Sequence, residues 1–312
     1  MVGSGDNNEA LAYGSDVTAV VSNGIPILTL PQAGNLVIQH GLGAGSQTQV
    51  VTDSSDNSAG DVDSAVDAGT GAAFASWQSN AGSGGDFMRQ VAPTVGPAQK
   101  VPGPVRNELV ISGRDQGPGI FAAYSQDGSH VRLQRYGGGS VAVGKLRGGG
   151  ISKLATATGL DGRIWVMWGN DSGVALTRSN RAVTKFEHVQ HVKPHSTTLH
   201  RLSGDGRLGP LDLLVDQIPS SSGSIPPPGT FHARILPVLS VSASIKGGHK
   251  LKVAVKDAGD AVPGAKVKAL GKKKKTNAKG VATLTLPGSL PKRVKVTVKA
   301  SGYRRAKKIV KS

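Results

Sequence analysis

The run Gly162-Arg163-Ile164-Trp165-Val166-Met167-Trp168, followed after a polar turn by Gly173-Val174-Ala175-Leu176-Thr177-Arg178-Ser179-Asn180, decides how most of the chain is read. The first is a short alternating run that ends in an aromatic, and a Gly/Asn/Asp/Ser turn leads into a second run that carries an arginine. The order recurs upstream in Ile120-Phe121-Ala122-Ala123-Tyr124 with Val131-Arg132-Leu133-Gln134-Arg135, and in Ala72-Ala73-Phe74-Ala75-Ser76-Trp77 with Met88-Arg89-Gln90-Val91. The anchors Trp77, Tyr124 and Trp168 stand 47 and 44 residues apart, and Leu211-Asp212-Leu213-Leu214-Val215 follows at a like interval. Leu36-Val37-Ile38 reads as a weaker upstream copy, and Phe231-His232-Ala233-Arg234-Ile235-Leu236-Pro237 repeats the arginine-bearing run.

Nothing in residues 1–237 keeps apolar residues at helical spacing, and glycines interrupt every candidate helix. Repeats of about 40–50 residues, each built of short strands, are the mark of β-propeller blades. Each blade offers a face that only the next can cover, so stacking into a ring follows. A sandwich or solenoid with accidental spacing is the alternative. The Ser- and Pro-rich stretch 216–230 is expected as a loop within the last blade, because the arginine-bearing run resumes after it.

The chain has 312 residues, 44 Gly, 17 Pro, no Cys and a formal charge of +17. The missing Cys excludes a disulfide framework, a Cys-ligated metal and a thiol nucleophile. No window approaches the roughly 20 apolar residues of a membrane span. Residues 1–88 hold nine acidic residues and no Lys or Arg, whereas residues 241–312 hold 20 basic residues and only Asp257 and Asp260 as acids. A break this sharp places a unit boundary after Pro237. Beyond it Leu251, Val253 and Val255, and likewise Val294, Val296 and Val298, alternate with lysines and small polar residues. That is the pattern of antiparallel strands with one buried face. The expected fold is all-β: a five- or six-bladed β-propeller over 1–237 and a small β-sandwich over 238–312.

Two resemblances refine this. The runs around Trp168 and Arg178 resemble blades of sialidase-like (Asp-box, BNR-type) propellers of secreted bacterial proteins, with eroded Asp-box turns at Asp171-Ser172-Gly173 and Ser125-Gln126-Asp127-Gly128. The segment Val262-Pro263-Gly264-Ala265-Lys266-Val267 through Thr276-Asn277-Ala278-Lys279-Gly280-Val281 resembles bacterial immunoglobulin-like and carboxypeptidase-regulatory-like modules. The resemblances imply an extracellular or cell-surface recognition or adhesion protein, acting as a monomer. Its propeller face would bind a glycan or surface protein, and its basic module an anionic surface polymer. Met1–Asp6 has neither a basic start nor an apolar stretch, so the chain as it stands shows no signal peptide.

The repeated arginines Arg89, Arg132, Arg178 and Arg234 are the ligand candidates of the propeller face; alternatively they are the repeated strand's solvent-side residue. Lys272, Lys273, Lys274, Lys275 and Lys279 are the polyanion candidates, expected on a projecting hairpin tip; alternatively the lysines are solvated strand faces that resist edge-to-edge pairing. No aromatics interleave with these lysines except Tyr303, so specific single-strand nucleic-acid binding is not expected. The sialidase arginine set has no first-blade counterpart, which leaves a sialidase-like glycoside hydrolase as an alternative and a structural spacer as another. Gly139-Ser140-Val141-Ala142-Val143-Gly144-Lys145 ends at Leu146 where a phosphate loop needs a hydroxyl. His188, His191, His195 and His200 lack zinc-enzyme spacing. No cofactor, metal or catalytic residue is expected.

Overall fold

The structure is a computed structural model that describes residues 17–32, 35–43, 45–51, 59–79, 84–103, 109–146, 148–193, 198–218 and 229–311. It is all-β, with one short 3-10 turn at Leu160–Gly162 as the sole helical element among the described residues. Sheet one comprises β1 (Thr18–Ser22), β2 (Ile25–Gln32), β3 (Asn35–His40) and β4 (Gln47–Val50), and sheet two β5 (Ala59–Val66), β6 (Ala73–Ser79), β7 (Gly85–Ala92) and β8 (Gln99–Val101). Sheet three comprises β9 (Val110–Ser112), β10 (Phe121–Ser125), β11 (His130–Arg135) and β12 (Ser140–Lys145), and sheet four β13 (Lys153–Gly159), β14 (Arg163–Asn170), β15 (Gly173–Arg178) and β16 (Gln190–Val192). Sheet five has three described strands, β17 (Thr198–Asp205), β18 (Leu211–Ile218) and β19 (Gly229–Ile235). All five are antiparallel meanders in which each strand pairs with its neighbour in sequence.

The repeat follows from how these sheets cover one another. A strand sends successive side chains to opposite faces. In β6, Ala73, Ala75 and Trp77 join a cluster with Ile27, Leu36 and Ile38 of sheet one, while Phe74 joins Ile111, Ala122 and Tyr124 of sheet three. In β14, Ile164, Val166 and Trp168 pack on Ala123 and Leu133 of sheet three, whereas Trp165 and Met167 pack on Leu202, Leu211 and Leu213 of sheet five. Both faces of a central sheet are therefore dry, which makes its second strand a continuous apolar run rather than an alternating one. Gly144 shows how close the approach is: a Cβ there would lie 2.7 Å from the Trp168 ring. The glycine is thus a packing residue on strand β12.

Carboxylates staple the sheets to one another. Asp67 Oδ2 accepts the Gly119 N–H at 3.0 Å, and Asp171 Oδ1 accepts the Leu199 N–H at 2.8 Å. Asp171 sits in the turn between β14 and β15, so that turn ties sheet four to sheet five. The first strands stand side by side: β1 lies next to β5, β5 to β9, β9 to β13 and β13 to β17.

The anchors Trp77, Tyr124 and Trp168 all lie on second strands and are buried, and the four arginine-bearing runs are all third strands. One register assignment needs correction. Leu36-Val37-Ile38 is β3, the third strand of sheet one, and the second strand is β2. Both strands are apolar, and without a closing aromatic the sequence does not distinguish them. The hairpin β18–β19 flanks the Ser- and Pro-rich segment, of which 219–228 lie outside the described residues.

The C-terminal strands are β20 (Ser240–Lys246), β21 (Lys250–Asp257), β22 (Asp260–Ala261), β23 (Lys266–Ala269), β24 (Lys272–Lys275), β25 (Val281–Thr285), β26 (Arg293–Lys299) and β27 (Ala306–Lys311). One sheet runs β20-β21-β22 with β25 also paired to β21, and the other runs β24-β23-β26-β27. Leu251, Val253 and Val255 of the first face Val267, Val294, Val296 and Val298 of the second across a single core.

If Trp168 fills the interface between sheets three and four, Trp168→Ala lowers the unfolding free energy by about 3–5 kcal/mol in denaturant titration. A loss below about 1 kcal/mol would contradict this packing role.

Candidate functional site

The first strands of all five sheets enclose a cavity of about 670 Å³ lined by Thr18, Asp63, Val110, Lys153, Thr156 and His200, among others. Among the described residues Asp63 is the one carboxylate that lines it. Its Oδ1 accepts the Ser64 N–H and its Oδ2 the Ile111 N–H, each at 2.8 Å, so it ties sheet two to sheet three. Hydroxyls, cations and one hydrogen-bonded carboxylate make a polar wall suited to binding a hydroxyl-rich or anionic group.

The repeated arginines are not brought together at this cavity. They occupy third strands, and none is among its lining residues. Arg89 donates from Nε and Nη2 to Gly96 O, at 2.9 and 2.7 Å, and from Nη1 to Val51 O. Arg132 donates from Nε and Nη2 to Ser140 Oγ at 3.0 and 2.8 Å. Arg234 is exposed and pairs across strands with Asp212 in register. Arg178 lies 3% exposed at the junction with the C-terminal sheets.

That junction is the most highly charged buried place in the described protein. Asp257, fully buried at the end of β21, receives Arg178 Nη2 and Tyr303 Oη on Oδ2, both at 2.7 Å, with Arg163 Nη2 at 3.3 Å. Asp260 Oδ2 receives Arg163 Nη2 at 2.8 Å and the Arg181 N–H at 2.9 Å. The Arg178 guanidinium also lies 5.3 Å from the Trp165 ring and 5.6 Å from the Tyr303 ring, a cation held between two aromatic residues. Glu187 accepts the Val238 N–H on Oε2 at 2.8 Å. Burial pushes the Glu187 carboxyl up to about 8; the Asp257 charge adds to this, while Arg178 and Arg163 oppose it. Burial, reinforced by Asp257, pushes the Tyr303 phenol up to about 12.

The lysine run occupies a different place from the one expected. Lys272–Lys275 form strand β24, and the hairpin tip is Leu270-Gly271, both at positive φ, 43° and 78°. A two-residue turn with positive φ at both positions matches the strand twist, so the chain reverses before the lysines rather than after them. Lys279 is exposed in the turn that follows, where the Lys279 N–H donates to Asn277 Oδ1 at 3.0 Å. His188, His191 and His200 are exposed, and His195 lies outside the described residues. Among the described residues no group of His, Cys, Asp and Glu is placed to hold a metal ion, and no helix is long and apolar enough to cross a membrane. Sequence reasoning missed Arg163, Glu187 and the pairing of Asp257. The available signal was that Asp257 and Asp260 are the lone acids of a strongly basic segment.

No protein-family model and no curated protein matches the chain. Among solved structures it is similar to a mutant Aleuria aurantia lectin in complex with alpha-methyl-L-fucoside, at 12% identity over 88% of this chain and 78% of that one, with a TM-score of 0.46. It is also similar to a glycoside hydrolase family 43 arabinoxylan arabinofuranohydrolase from Bacillus subtilis in complex with cellotetraose, at 8% identity over 96% of both chains and a TM-score of 0.37.

At the junction, Asp257→Ala strands the buried Arg178 guanidinium, while Arg163 keeps Asp260, and costs about 3–5 kcal/mol of unfolding free energy, whereas a surface pair would cost under about 1. Glu187 ionises near 4.5 when free and near 8 in the folded chain. Unfolding therefore releases a proton between those values, so stability falls as pH rises through that window and levels off above it. Glu187→Gln flattens the pH profile of the denaturation midpoint between pH 5 and pH 8; an unchanged slope would contradict the assignment.

Proposed function

We propose that the chain is a non-catalytic recognition and adhesion protein of the cell exterior, built from a five-bladed sialidase-like propeller over 1–237 and an immunoglobulin-like module over 238–312. The propeller binds a glycan at its axis, and the lysine-rich module, Lys272–Lys275 and Lys279 included, holds the protein at an anionic surface polymer. The observation that carries the first part is the polar cavity of about 670 Å³ enclosed by five first strands. Its volume falls in the range of roughly 300–1,000 Å³ common to small-ligand sites. Glycoside hydrolysis in its usual form needs two carboxyl groups flanking the bond, and among the described residues Asp63 is the one carboxylate lining the wall. Its oxygens already hold two backbone N–H groups. That favours binding over turnover. The second part is supported by the exposure of Lys272–Lys275 and Lys279.

Screening the full chain on a glycan array tests the reading. A ligand is expected whose affinity drops at least about tenfold, or ~1.4 kcal/mol, in Thr156→Trp, which fills the cavity, and in His200→Ala. Release of free sugar from that ligand would establish the hydrolase instead, and an array without any ligand would leave a spacer.

A further inference from the structure

The C-terminal module has two sheet faces turned to solvent, and they differ in a way the charge total hides. On the face carrying β20, β21 and β25, lysines sit mostly opposite hydroxyl residues: Lys252 pairs with Ser244 and Thr283, Lys256 with Ser240, and Lys250 with Thr285 on one side and Lys246 on the other. On the face of β24-β23-β26-β27, cations sit opposite cations. Lys266 lies between Lys275 and Lys299, Lys268 faces Lys273, and Arg293 faces Lys311. Residues directly opposite in an antiparallel pair project to the same side, and like charges in that arrangement repel. No acid relieves them. The only two in the module, Asp257 and Asp260, are bound to Arg163 and Arg178 at the junction.

We propose that this sheet face is the docking surface for an extended phosphodiester polymer whose backbone lies along the strands. This rests on reading the module as polyanion-binding and replaces the short lysine run with a two-dimensional grid. Outward residues on one strand recur about 6.6–6.8 Å apart, and neighbouring strands lie ~4.8 Å apart. A polyol phosphate chain, with one charge per short flexible monomer, meets such a grid at successive phosphates. Lysine suits this contact because its ammonium is a point charge that needs no fixed fork geometry. Thr297 and Ile309 are the uncharged residues on the face, and Tyr303 is committed to Asp257. With no aromatic platform, neither a base nor a sugar ring has a surface to stack on, so the polymer is held through its charge.

The test titrates the full chain with poly(glycerol phosphate), a single-stranded oligonucleotide and dextran sulfate at matched charge, over a range of salt concentrations. The polyol phosphate is expected to bind most tightly, with log affinity falling linearly with log salt. The triple variant Lys266→Gln, Lys268→Gln, Lys295→Gln should bind at least tenfold more weakly and lower the salt slope by about 0.7–0.9 per lysine removed. It should also unfold at a higher temperature than the parent, since repulsion is removed. Lys252→Gln with Lys256→Gln, which lie on the other sheet face opposite hydroxyl residues, should change affinity less than threefold. If no polyanion binds, the adhesion reading itself fails. If the polyol phosphate binds but the two sets of variants weaken it equally, the face assignment alone is wrong. Tighter binding of the oligonucleotide or of dextran sulfate overturns the polyol phosphate assignment in favour of nucleic acid or a sulfated polysaccharide.

Discussion

One carboxylate fixes how the two halves of this protein sit together. Asp257 takes hydrogen bonds from Arg178 and Tyr303 on a single oxygen, with Arg163 close by, and has no exposure to solvent. A buried ion pair adds little net stability over well-packed apolar residues, because desolvating the charges offsets their attraction. Its effect lies in geometry: any other docking of the C-terminal sheets would leave two buried guanidinium groups without a counter-charge. Arg178 is further held between Trp165 and Tyr303, and Trp165 belongs to the core between sheets four and five. The junction is thereby rooted in the packing of the N-terminal sheets.

The same interaction sets the electrostatics of the whole chain. Residues 241–312 carry 20 basic residues and two acids, and both acids face the arginines of sheet four. What remains outside is a cationic surface with nothing to neutralise it. The N-terminal sheets, with nine acids in their first 88 residues, use several of those carboxylates internally, as Asp63 and Asp67 do when they accept backbone N–H groups of sheet three. Charge therefore acts differently in each part of the protein. Inside the N-terminal sheets it joins neighbours, at the junction it orients the two halves, and on the C-terminal face it stands exposed to solvent.

Much of this was legible in the sequence, and the parts that were not share one cause. Periodicity says which side chains leave a strand on the same side, so the buried anchors Trp77, Tyr124 and Trp168 and the shared strand position of Arg89, Arg132, Arg178 and Arg234 could be read directly. It does not say what lies across from that side. Arg89 and Arg132 meet groups of nearby strands and turns, whereas Arg178 meets a carboxylate 79 residues further along. The lysine run was misplaced for a local reason, because Leu270-Gly271 is a less conspicuous turn than Thr276–Gly280. The second-strand runs, read as alternating, are near-continuous in the structure because their sheets are covered on both faces, and a strand dry on both sides can omit polar residues.

The most direct test is a double-mutant cycle across the junction with Arg178→Met and Asp257→Leu, each removing its charge without adding a new one. A coupling free energy above about 1 kcal/mol is expected from denaturant unfolding, with the double variant more stable than the sum of the single losses implies. Additivity within about 0.3–0.5 kcal/mol would mean that the two residues do not act on each other, and that something other than Asp257 sets the arrangement of the two halves.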